Sequence, residues 1–303
     1  MTATQKAIIR VLLYFDIFGH PLKKSELFCL TGVRSEKKDF EESLAELVRL
    51  DLISHEADHF YITESTSSVS DRLLKQNHAV KYHRISRIIS ALIYFHPFVR
   101  GVLVSGSLSK NIHSKKDDID YFVITEPGRL WICRTLLMLF KKIFLLNSKK
   151  YFCINYYVDS KTLEIPDKNL FTATEIAFLI PLQDYESCRI FFSSNDWILE
   201  FFPNLIIDLQ SCRRRRKYLV KKIAERLLQG NRFDRLDSYL MNMYRKRSSK
   251  LYGTNSEHRF ESNFKSEKNV SKYHPNGFQH LIMENYNLKI SGFEVAHKVD
   301  LSQ

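Results

Sequence analysis

The chain has 303 residues, with 44% hydrophobic and 13% aromatic residues, which is enough apolar material for real cores and excludes a disordered chain. At about 100–200 residues per domain this length predicts two or three folding units. The 46 basic residues against 34 acids give a net charge of +12, a balance that favours polyanions: nucleotide phosphates, nucleic acid or an acidic membrane surface.

Cys29, Cys133, Cys153, Cys188 and Cys212 form no CxxC pair and lie in apolar or helix-like settings. A disulfide framework or zinc site is therefore not expected, and a reducing cytoplasm fits. The polar start, Met1 to Lys6, carries no signal-peptide pattern. The most apolar stretch, Leu130 to Leu146, is interrupted by Arg134, Lys141 and Lys142, so it reads as a buried helix and no membrane span is expected.

Residues 4–17 carry apolar positions at helical spacing, and Gly19-His20-Pro21 ends the pattern. A short helix is expected over 23–31 and an amphipathic one over 36–50, with Phe40, Leu44, Leu47, Val48 and Leu50 on one side. Leu52-Ile53-Ser54 and Phe60-Tyr61-Ile62 bracket a polar turn, as in a hairpin. Three helices followed by a hairpin resemble a winged helix-turn-helix domain, here spanning 1–65. In DNA-binding members the second helix of the pair enters the major groove. In 36–50 the lysines 37 and 38 are offset by Glu36, Asp39, Glu41, Glu42 and Glu46, so structural or protein-binding use is expected rather than DNA contact. A connector over 66–97 follows, polar over 66–77 and helical over 78–96.

Residues 101–105 (GVLVS) read as a buried strand running into Gly106-Ser107. A glycine after a strand lets the backbone turn sharply and approach a ligand. The following N–H groups and the Ser107 hydroxyl can then face phosphate oxygens. Asp118-Ile119-Asp120 opens a second apolar run, Tyr121 to Thr125. At strand spacing Asp118 and Asp120 share a face, and Ile119 points to the other. Two carboxylates that close repel unless a cation sits between them, and magnesium takes such ligands together with substrate phosphates.

The segment VLVSGS-LSKNIHSKKD-DIDYFVI resembles the DNA polymerase β-like nucleotidyltransferase superfamily in its apolar context, spacing and strand–turn–helix–strand order. The resemblance implies an α+β fold: a nucleotidyltransferase core over 98–168, a small mixed sheet with helices, behind the winged-helix-like domain and before a C-terminal helical region. It implies that Gly106, Ser107 and Lys110 hold the triphosphate of an NTP, ATP by default. It implies that Asp118 and Asp120 bind Mg2+ and that a nucleotidyl group passes to an acceptor hydroxyl of unknown identity with release of pyrophosphate. Such enzymes usually supply a third acid from a neighbouring strand. The strand expected here is 151–158 (YFCINYYV), with Cys153, Asn155 and Tyr157 on one face. Asn155 stands in the acid's place, offering magnesium a carbonyl oxygen but no charge. Asp159, at the strand end, reads mainly as a turn residue, and Glu164 is a weaker candidate. The alternative is a catalytically inactive nucleotidyltransferase fold acting as a regulatory protein that binds nucleotide, protein or DNA.

Residues 128–146 are expected to be a helix whose Arg129 and Arg134 either reach a phosphate or edge the core. The helical region, 169–246, is read as helices over 169–180, 184–201 and 204–230, with Glu175 as a polar group for the cleft or for solvent. The run from Arg213 to Lys217 wraps around a helix and is either solvated or open to nucleic acid. Residues 247–303, rich in Ser, Asn, Lys and His, read as a mostly disordered tail with a short docking segment in 278–297.

Overall fold

The computed structural model describes residues 1–215, 218–252, 264–273 and 278–302. It is a mixed α+β structure. Helix α1 (Ala3–Asp16) begins in a capping box: Thr2 accepts from the Gln5 N–H, and the Gln5 side chain returns to the Thr2 N–H. Strand β1 (Leu22–Lys23), α2 (Lys24–Leu30) and α3 (Lys37–Arg49) follow. Then come β2 (Ile53–Glu56) and β3 (His59–Ile62), the expected hairpin. The three strands form an antiparallel sheet in the order β1-β3-β2. The two-residue β1 was not legible, because it exists only by pairing Leu22 with Phe60 and Lys23 with His59.

Helix α4 (Val69–Phe95) is one helix of 27 residues, capped by Ser68, whose hydroxyl accepts from the Asp71 N–H. The expected polar connector over 66–77 is thus mostly helical. Its polarity marks the solvated face of a helix that is otherwise held by tertiary packing.

The second sheet starts with β4 (Val99–Ser105), the single turn α5 (Gly106–Ser109) and β5 (Asp120–Thr125). Helix α6 (Leu130–Phe144) then crosses over to β6 (Cys153–Asp159), which runs parallel to β5. Next come α7 (Leu170–Ala177), β7 (Ile180–Gln183), α8 (Tyr185–Ser193), α9 (Ile198–Phe201), α10 (Leu219–Leu227) and α11 (Asn231–Tyr252). Strands β8 (Phe264–Ser266) and β9 (Val270–Tyr273) and helix α12 (Phe278–His297) end the described chain. The strand order is β7-β4-β5-β6-β9-β8, antiparallel except for β5 and β6.

One sheet face, with Leu103, Phe122, Ile124 and Val158, shares a continuous core with Leu12, Leu13 and Phe15 of α1 and with α7, α8 and α12. The other face, with Val102, Val104, Tyr121, Val123 and Tyr157, is covered by residues of α4 and α6 and by Phe233, Leu240 and Tyr244 of α11. Each fully buried large apolar side chain contributes about 1.5–3 kcal/mol, so these two layers hold the sheet in place. All five cysteines are free. Among the described residues no helix is long and apolar enough to cross a membrane.

Three expectations for the C-terminal half are corrected. The helix expected over 169–180 stops at Ala177, and Ile180–Gln183 forms β7, whose Pro181 is tolerated because β7 ends the sheet beside β4 and its outer side meets just an isolated bridge from Gln183 to Arg213. The long helix expected over 204–230 is confined to Leu219–Leu227. Arg213 is drawn into strand-like pairing instead: its N–H donates to Leu182 O at 3.1 Å, and its carbonyl accepts from Tyr185 N at 3.0 Å. The basic run therefore enters as extended chain, and Arg216 and Lys217 lie outside the described residues. The tail expected to be mostly disordered from 247 onward supplies β8 and β9, and the docking segment expected in 278–297 is the 20-residue helix α12. The tail's buried side chains (Val270, Ile282, Tyr286, Phe293 and Leu301) are few and widely spaced, so composition understated them.

Candidate active site

Strand β4 delivers the chain to Gly106 at φ +70, a left-handed conformation natural to glycine. A Cβ there would lie 2.5 Å from Asp120 Oδ2, so a side chain would displace the aspartate. Asp120 is the first residue of β5 and pairs in register with Ser105. The Gly-Ser turn and the Asp-x-Asp segment, apart in sequence, therefore meet at one end of the sheet. Asp118 precedes the strand instead of lying within it. Ile119 is fully buried, and its N–H donates to Lys150 O at 2.9 Å, so the two half-buried aspartates flank a pinned core residue.

Burial pushes the Asp120 carboxyl up to about 6. The neighbouring Cys153 thiol opposes this, the charges of Asp118 and Glu175 add to it, and Lys110 opposes it. The Cys153 thiol itself is pushed up to about 12, by burial first and then by Asp120. Burial thus outweighs the protein groups that favour the ionised form of Asp120.

Asn155 reaches this carboxylate directly: its Nδ2 donates to Asp120 Oδ1 at 2.6 Å. A carboxylate only accepts, so the amide must present its nitrogen, and the Asn155 carbonyl oxygen turns to the Cys153 thiol at 3.3 Å. The expected face of Cys153, Asn155 and Tyr157 is corrected by a bulge in β6. Tyr121 pairs with Ile154 but Phe122 pairs with Tyr156, leaving Asn155 as the extra residue. Tyr156 then stacks on Phe122 with centroids 4.8 Å apart, while Tyr157 turns into the opposite core.

The other expected residues have partners of their own. Ser107 Oγ lies 3.2 Å from His113 Nδ1. His113 is fully buried, its ring centroid 4.2 Å from that of Tyr82, and its Nε2 has no partner among the described residues. Burial pushes its pKa down, so the ring is neutral. Lys110 Nζ donates to Glu175 Oε1 of α7 at 2.8 Å and lies 5.8 Å from the centroid of the Phe178 ring. Asp117 accepts from the N–H and hydroxyl of Ser114, both at 2.8 Å. Burial alone would raise the Asp117 carboxyl, but those bonds outweigh it and hold it below the ordinary range.

Asp159 sits at the far end of β6, opposite Thr125, and caps a turn by accepting from the N–H groups of Lys161 and Thr162. Glu164 pairs with Lys168 on the surface. Neither approaches Asp120. Arg129 pairs with Asp234, and Arg134 donates to Ser271 Oγ at 2.6 Å, so both serve packing between α6 and the C-terminal elements. Sequence reasoning missed His113, which no motif marks, and underrated Glu175, whose neighbour Lys110 lies 65 residues away.

A cavity of about 340 Å³ opens beside α5. Ser109, Ala177, Phe178, Ile180, Ile207 and Asp208 help to line it. Its size is that of a small-ligand pocket. Among the described residues no group of three or more His, Cys, Asp and Glu side chains is placed to hold a metal ion. The chain matches no protein-family model, no curated protein and no solved structure.

Proposed function

We propose that this chain is a magnesium-dependent nucleotidyltransferase of the DNA polymerase β-like superfamily, with an N-terminal winged-helix-like domain. One observation carries the reading: Gly106, where any side chain would displace the Asp120 carboxyl, lies directly against Asp120, with Asp118 two residues ahead. Phosphate cradle and acidic pair meet where an NTP would bring its phosphates and its metal together.

Asp118 and Asp120 fit magnesium, which commonly takes one or two carboxylates and fills the rest of its shell with water and phosphate oxygens. The burial that lifts Asp120 to about 6 is the cost a bound cation would relieve. When bound, magnesium supplies charge neutralisation for the triphosphate and Lewis-acid activation of the acceptor oxygen. The chain's own groups have distinct tasks. The N–H groups after Gly106 orient phosphate oxygens. Asn155 fixes the rotamer of Asp120. Lys110, held by Glu175, places a positive charge beside the turn. ATP is the default NTP, and the acceptor hydroxyl is not identified.

A second reading, an inactive nucleotidyltransferase fold with a regulatory role, is favoured by Asn155, which donates to Asp120 where active relatives would carry a third acid. Calorimetric titration of each NTP, with and without magnesium, tests the metal–triphosphate site that the first reading requires. For the enzyme we expect magnesium-dependent binding that is lost in Asp118→Ala with Asp120→Ala, the double variant remaining folded. Unchanged affinity in that variant would sink the metal-site assignment. Wild type that binds no NTP would favour the second reading.

A further inference from the structure

Between Glu126 and Asp159 the chain contains no acidic residue, while Arg129, Arg134, Lys141, Lys142, Lys149 and Lys150 fall in the interval. The middle of it, KKIFLLNSKK over 141–150, leaves the end of α6 and returns to β6. Three of its four apolar side chains face outward, Ile143 at 65% exposed, Phe144 at 68% and Leu146 at 90%, while Leu145 packs against the core. Leu139, one turn before Ile143 on the same helix face, is also exposed. Leu146 and Asn147 both adopt positive φ, a conformation unusual for leucine, and this sharp turn holds the apolar tip out from the body.

Lys142, Lys149 and Lys150 are exposed around the tip. Tyr151, partly exposed, carries Lys150 Nζ at 5.7 Å from its ring centroid and stacks with Tyr82 behind it. An apolar tip ringed by lysines, with a tyrosine at its base, combines two terms. Apolar side chains leave water, and ammonium groups meet negative headgroups. A nucleic acid would use the lysines but leave the isoleucine and leucine in water. A purely apolar partner would leave the lysines unmatched.

We propose that the 141–151 loop seats this protein on an anionic phospholipid surface. The loop borders the Asp118–Asp120 end of the sheet, through the bond from Ile119 N–H to Lys150 O. Docking therefore brings that end of the molecule to the bilayer. The surface does not depend on what the aspartates bind.

The test is co-sedimentation of the full chain with vesicles of phosphatidylcholine alone, and with vesicles of equal parts phosphatidylcholine and phosphatidylglycerol. Binding is expected to the anionic vesicles only and to weaken with salt. Lys149→Gln with Lys150→Gln should lower it about fivefold for each lysine lost. Phe144→Ser with Leu146→Ser should abolish it, with the far-ultraviolet circular dichroism unchanged. Lys222→Gln with Leu227→Ser, on exposed positions of α10, should leave it intact. Failure to bind anionic vesicles overturns the proposal, and so does binding that the loop variants do not alter. Two other outcomes also overturn it in a chain that ignores vesicles. One is a light-scattering mass that halves in the Phe144→Ser, Leu146→Ser variant, which assigns the tip to a dimer. The other is retention of a single-stranded oligonucleotide that the lysine variant loses.

Discussion

Asp120 concentrates the chemistry of the site in one side chain. It closes against Gly106, accepts from Asn155 and sits beside Cys153 with its carboxyl raised from 3.8 to about 6, chiefly by burial. The linkage has a definite sign. Below about pH 4 the group is protonated folded and unfolded, and it costs nothing. As pH rises toward about 6 the unfolded chain loses its proton first, so stability falls across that window and stays reduced above it. Asp120→Asn keeps an oxygen for Asn155 and removes the charge. It should stabilise the protein at about pH 7.5 by up to about 3 kcal/mol, and by about 1 kcal/mol at about pH 4.5. Thermal melts of both proteins at both pH values measure this, and an equal offset at the two pH values would refute it. Magnesium should raise the melting temperature of wild type, but not of the variant, at the higher pH. The motif residues were legible because glycine and paired aspartates carry their geometry locally. The partners of Ser107 and Lys110 were not, because His113 and Glu175 come from loop and helix positions that no local spacing connects to them.

Helix α10 is built inside out. Lys221 and Glu225 face inward, while Leu219, Val220, Ile223 and Leu227 face solvent. Lys221 Nζ donates to the carbonyls of Tyr94 and Val99 at 2.7 and 2.6 Å, and burial pushes its pKa down to about 8. Glu225 accepts from Phe98 N and from Arg100 Nη1, both at 2.7 Å. Phe98 is buried at φ +67, so Glu225 fixes the turn that leads into β4. Glu225→Ala should therefore cost about 2 kcal/mol, because it leaves the Phe98 amide unpaired and Arg100 with Glu126 as its one carboxylate partner. Leu227→Ala should stay within about 0.5 kcal/mol. Urea titrations compare the two, and the reverse ranking would show that α10 is held by its apolar face. Helical periodicity over 219–227 was readable, but which face turns inward was not. That choice rests on the carbonyls left at the end of α4 and the start of β4.

At the scale of the molecule, first and last elements close on each other. The ring centroids of Tyr286 of α12 and Tyr14 of α1 are 5.5 Å apart, Lys289 pairs with Asp16, and Arg10 donates to Leu301 O at 2.9 Å. Arg72 of α4, almost fully buried, ties the N-terminal elements to the second sheet by bonding His20, Glu26 and Lys110 O. Deleting residues 278–303 would expose Tyr14 and Phe15 and remove Ile282, Tyr286, Phe293 and Leu301 from the core. We expect it to lower the unfolding free energy by about 6 kcal/mol. Chemical denaturation of the truncated chain checks this, and an unchanged midpoint would make the C-terminal helix a passive appendage.

The amino-acid sequence by itself determined the α+β class, the helices over 3–16, 37–49 and 130–144, the hairpin of β2 and β3, and the turn and strand around Gly106 and Asp120. Each of these is written in a local period or in a residue with few backbone options. Only the tertiary structure decided the rest. The short strands β1 and β7 and the strand-like pairing of Arg213 follow from partners distant in the chain. The bulge that hands Asn155 to Asp120 follows from the register against β5. The ordered C-terminus follows from a few scattered apolar residues meeting a surface made elsewhere. These features have in common that their free energy comes from contacts distant in sequence, to which a local pattern has no access.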